Sequence, residues 1–67
     1  MENATIALRI VQSKRLELSR IAVRSGVVSK RAWEGLITLC RNSGLNHNEK
    51  SLIARYEKYK KTCRAIE

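Results

Sequence analysis

Sixty-seven residues make one domain at most, and a chain this short encloses only about 60% of the surface it exposes when unfolded, so its core is marginal. Fourteen Lys and Arg against six Asp and Glu leave a formal charge of +8, which points to an acidic partner, either nucleic acid or a protein surface. Two cysteines, Cys40 and Cys63, and a single histidine, His47, match no metal-site spacing, so neither a metal nor a cofactor is expected.

The opening Met1-Glu2-Asn3-Ala4-Thr5 carries an early acid and does not read as a secretory leader. No run approaches the roughly 18 apolar residues of a membrane span. A cytoplasmic location is therefore expected, with both thiols reduced and packed as small hydrophobes. A Cys40–Cys63 bridge stays open only if their helices face each other. The charge is dispersed: residues 1–26 hold five cations and two anions, residues 27–45 three and one, residues 46–67 six and three. A phosphate-tracking arm would concentrate its cations.

Gly26 and Gly44 sit where helices should end, because glycine accepts the left-handed conformation just past a helix C-terminus. They divide the chain into three helices, about 4–25, 30–42 and 48–66, an all-α fold. The first has Asn3 as its expected cap and an inner face of Leu8, Val11, Leu18, Ile21 and Ala22, interrupted by Lys14 and Arg15. Residues 5–11 are β-branched and partly alternating, which leaves a short strand or frayed start as the alternative there.

The second helix follows Ser29, a good cap. It places Trp33, Leu36, Ile37 and Cys40 on one face, widened by Ala32 and Leu39. Gly35 in mid-helix costs about 1 kcal/mol against alanine, and a close helix–helix crossing is the expected reason for it. The third helix is expected from Asn48, with Glu49 complementing the helix dipole in its first turn. Leu52, Tyr56, Tyr59, Cys63 and Ile66 recur at spacings of four, three, four and three, a heptad-type seam with Ile53 beside it. This seam has more apolar length than two short helices can cover. Self-association is therefore expected, as an intertwined or seam-paired homodimer.

Residue constellations for catalysis are missing: no phosphate-binding glycine loop, no paired carboxylates on one face, and no base beside either cysteine. His47 reads as a solvated turn residue. Protein–protein interaction without catalysis is the expected activity. Its contacts are expected among Trp33, Leu36, Leu52, Arg55, Tyr56 and Tyr59, because aromatic and Arg anchors dominate interfaces and so small a domain should not enclose every aromatic. The alternative is DNA binding. Ala22 stands four residues before Gly26, an apolar residue follows, and Lys30, Arg31 and Glu34 would open a recognition helix of a helix-turn-helix. Ser25, at a normally apolar position, and the late Trp33–Leu36 pair fit that motif poorly. Any DNA affinity is therefore expected to be nonspecific.

Residues 19–59 resemble the ANR (AraC negative regulator) proteins of Gram-negative pathogens and, more distantly, the PerC-like regulators. Ala22, Arg24 and Gly26 match the end of that family's alanine-rich helix, Ala32 the following segment, and Asn48, Arg55 and Tyr59 its third helix. Val28 replaces a usual aromatic, and Cys63 follows Tyr59 too late for the family's aromatic-Cys pair. The resemblance implies a bacterial anti-activator that binds an AraC/XylS-type transcription activator and damps virulence-gene expression by hindering dimerisation or DNA binding. A nucleoid-associated protein, approached through the basic faces, is the alternative partner in transcription regulation.

Overall fold

A computed structural model describes residues 2–67, with side chains from Thr5 onward. Its elements are α1 (Glu2–Ser25), β1 (Val27–Ser29), α2 (Lys30–Asn42), α3 (Asn46–Thr62) and β2 (Arg64–Ile66). Helices hold 81% of the chain, and the all-α class expected from sequence stands. The addition is a two-stranded parallel ladder that ties the start of α2 to the end of α3.

The first helix begins at Glu2, ahead of the expected cap at Asn3, whose side chain lies outside those described. Residues 5–11 are helical, so the strand alternative fails. Ala7 and Val11 lie four apart and are buried, while Ile6 and Ile10 face out, a helical rather than alternating pattern. Farther on, Ala22 is buried but Ile21, expected on the same face, is exposed. Gly26 stops the helix with φ 65°, and its N–H donates to Ala22 O at 2.9 Å. Alanine would be strained there.

Val27–Ser29 runs extended, and Ser29 then caps α2, accepting from the Ala32 N–H at 3.3 Å. All four residues of the expected inner face, Trp33, Leu36, Ile37 and Cys40, are buried. Gly35 overturns its expected role. It is exposed, and a Cβ built on it would meet nothing within 4 Å, so no close crossing requires it. Gly44, at φ 73°, turns the chain into α3. That helix starts two residues earlier than expected and has no side-chain cap. Glu49 closes its first turn by donating its N–H to Leu45 O at 2.9 Å, and its carboxylate accepts from Arg41 Nε at 2.9 Å. The last turn of α2 is thereby clipped to the first turn of α3.

The third helix also ends four residues before the expected limit. Thr62 Oγ1 turns back to Lys58 O at 3.4 Å, and Cys63 is extended at φ −122°, ψ 160°. Beyond it, the Arg64 N–H donates to Gly26 O at 2.7 Å, and Val28 faces Ala65 in the ladder. A lone three-residue strand would leave its edge unpaired. Residues 64–66 supply the partner, and helix loses to ladder. Cys63 and Ile66 therefore leave the heptad seam, and Ile66 is exposed.

The core joins Val11 and Ala22 of α1, Val28 of β1, the inner face of α2, and Leu52 and Tyr56 of α3, with Leu18, Leu39, Leu45, Tyr59 and Cys63 packed around it. Trp33 stacks on Tyr56 at 5.7 Å between centroids with 7° between planes, and meets Tyr59 at 5.7 Å and 53°.

Candidate partner-binding site

The six expected contact residues separate by depth. Trp33 is fully enclosed, and Leu36, Leu52 and Tyr56 are buried with it. These four form the domain's own core, and of them only Leu36 borders a surface groove, the one between α1 and α2. The domain does not enclose every aromatic, as expected, but it encloses two of the three, because stacking folds Tyr56 against Trp33 and leaves only Tyr59 partly open. Arg55 and Tyr59 remain half-exposed. The structure brings them together on α3 in a shallow groove of about 330 Å³ with Ser51, Ala54 and Lys58.

Tyr59 rests its ring against Trp33, and its hydroxyl lies where α1 passes α3. Ser19 on α1 and Arg55 one turn earlier on α3 act on that hydroxyl. The Ser19 hydroxyl foremost, then the Arg55 guanidinium and the Lys58 ammonium, hold the phenol below its usual range, against the opposing pull of burial. Ser19 Oγ and Arg55 Nε are buried, and neither makes a hydrogen bond of good geometry. The groove itself, lined by Ser51, Ala54, Arg55, Lys58 and Tyr59, holds a serine hydroxyl, a phenol, a guanidinium and an ammonium, with local positive charge. Such a set fits a carboxylate or another anionic group.

The rim of α3 is arranged differently. Lys60 reaches Glu57 at 2.8 Å and lies over the Tyr56 ring at 4.7 Å, covering the tyrosine's outer side. The Glu57 carboxylate raises the Lys60 pKa above its ordinary value.

Lys30, Arg31 and Glu34 are exposed on the first two turns of α2. The connection before them is no helix-turn-helix turn but strand β1, fixed by its ladder to β2. Both cysteines are free. Cys40 is buried, and burial, with Glu49 nearby, pushes its thiol up. Cys63 Sγ donates to Ala22 O at 3.6 Å. Among the described residues, no three His, Cys, Asp or Glu gather as metal ligands. No described helix is long and apolar enough to cross a membrane.

Ser19 and Lys58 were not among the contacts expected from sequence. Ser19 follows Leu18 on the flank of the inner stripe, and Lys58 directly precedes Tyr59. Both signals are faint, since serines and lysines on helix flanks are ordinary surface residues. No protein-family model, curated protein or solved structure matches this chain.

Proposed function

We propose that this chain is a non-enzymatic negative regulator of transcription in the bacterial cytoplasm, which binds an AraC/XylS-type activator of virulence genes through the Arg55–Tyr59 groove of α3. The observation that carries the site is the pairing of half-exposed Arg55 and Tyr59 with Lys58 in one groove of α3. Interface hot spots are enriched in these residue types. The partner's class comes from the resemblance to the ANR proteins, two of whose matching positions, Arg55 and Tyr59, line this groove. An acidic side chain of the activator would dock between Arg55 and Lys58. The bound domain would then cover a surface the activator needs for dimerisation or for DNA.

The test is titration of a purified AraC/XylS-type activator with the wild-type chain and with Arg55→Ala and Tyr59→Ala variants, each checked for helicity by circular dichroism. Truncating a hot spot costs about 2 kcal/mol or more, a loss of roughly thirtyfold in affinity. Unchanged affinity in both folded variants would remove the site from α3, and no binding by the wild type would remove the partner class. The DNA alternative keeps one supporting observation, the exposure of Lys30 and Arg31 at the start of α2.

A further inference from the structure

The apolar surplus expected on α3 lies on α1 instead. Of the seven large hydrophobic side chains exposed among the described residues, Ile6, Ile10, Leu16, Ile21 and Val23 belong to this one helix. Two of them sit on a defined seam. At 100° per residue, Ile10, Lys14, Glu17 and Ile21 fall within about 60° of one another on the helix surface, spaced four, three and four. Ile10 is 45% and Ile21 43% exposed, and the Lys14 and Glu17 side chains are 57% and 60% exposed. Beside the seam, α1 and α2 leave a groove of about 400 Å³, lined by Ile10, Leu18, Ala32, Gly35, Leu36 and Leu39 and bordered by the Lys14–Glu17 pair. Gly35 leaves its α2 wall without a side chain.

We infer that this face is a two-fold homodimer interface in which α1 pairs antiparallel with α1 of a second copy. The sequence order of the seam identifies the occupant. Positions 10 and 21, and positions 14 and 17, are symmetric about a point between Arg15 and Leu16. A two-fold axis through that point sets Ile10 against Ile21 of the second copy, and Lys14 against its Glu17. Each of these contacts occurs twice. An isologous interface demands this self-complementarity, and a heterologous partner would have no need of it. In heptad terms, Ile10 and Glu17 occupy d positions and Lys14 and Ile21 a positions, and antiparallel coiled coils pair a with d.

A standard interface takes about 800 Å² per partner, roughly a sixth of the 4996 Å² this chain exposes. The 24 residues of α1 give it a length of about 36 Å, matching the longest molecular dimension of 36 Å. The open wall at Gly35 lets the second copy's α1 settle between α1 and α2. The Lys14–Glu17 pair within one chain, at 3.9 Å, exchanges for two pairs across the axis.

Sedimentation equilibrium of the full chain, from the micromolar to the submillimolar range, reads the association directly. The wild type is expected to dimerise, and Ile10→Asp or Ile21→Asp, both at exposed positions, to stay helical while associating about tenfold more weakly or worse. Lys14→Glu alone and Glu17→Lys alone set like charges against each other across the axis and should weaken the dimer similarly. The Lys14→Glu/Glu17→Lys double variant should recover it, and the two single variants mixed together should form a heterodimer. Leu16→Asp, exposed but off the seam, is the control and should dimerise normally. A wild type that stays monomeric throughout overturns the inference, as does a double variant no better than the singles, or a Leu16→Asp variant as impaired as Ile10→Asp.

Discussion

Trp33 is the residue this domain can least lose, because it bears on two tyrosines and is closed off from solvent. Replacing it with alanine should cost about 3–5 kcal/mol. That is most of the stability a domain this size carries, and thermal melts of Trp33→Ala should show little or no cooperative transition. Two other side chains act only at alkaline pH, with opposite signs. Tyr59 has its phenol lowered from 10.0 by Ser19, Arg55 and Lys58. Its ionised form is therefore favoured by folding. The gain is absent at neutral pH, grows as pH climbs through the folded value, and is complete above about 10. Cys40, raised by burial from 9.0, favours its neutral form in the fold. It costs nothing below pH 9 and destabilises progressively above it. Urea melts from pH 7 to 11 should thus show a shallower alkaline loss for Cys40→Ala than for wild type, and a steeper one for Tyr59→Phe. Parallel curves for all three chains would contradict both assignments.

At the scale of the elements, the glycine of α2 and the strand after α3 are the informative places. Within one chain nothing surrounds the Cβ that Gly35 lacks, so at concentrations too low for association Gly35→Ala should raise the stability of the folded monomer by about 0.5–1 kcal/mol. A loss in denaturant melts would mean that the position is crowded after all. Arg64→Pro removes the N–H that reaches Gly26 O, leaving a ladder acceptor unpaired. The cost should be about 1–3 kcal/mol, read as a drop of roughly 5–20 °C in melting temperature. These two sites also mark where the sequence was misleading. The helices, the caps at Ser29 and Gly26, and the inner face of α2 were legible, because periodicity and capping chemistry are local. The β1–β2 pair was not. Val27–Ser29 is too short to register as a strand, and its partner lies beyond two helices, in a segment whose apolar spacing continues a heptad. The site was half legible for a related reason. Composition identifies the aromatic and Arg side chains, but only packing separates Trp33 and Tyr56, turned inward, from Arg55 and Tyr59.

For the whole molecule, the net charge of +8 is spread over every helix. Duplex DNA should bind weakly and without sequence preference, and affinity should fall steeply with salt as counterions are released. Fluorescence anisotropy with two unrelated duplexes checks this. A complex that survives about 0.2 M salt on one duplex only, and disappears with Lys30→Ala/Arg31→Ala, would show specific recognition through α2. The ladder between β1 and β2 has a kinetic consequence as well. The three helices form from neighbours in the chain and need microseconds. Joining Val27 to Arg64 requires the whole α2–α3 hairpin to close as a loop, and the entropy of that closure precedes any reward from the strand pair. The search for this non-local register should therefore slow folding, placing a largely helical protein among the slower folders of its class.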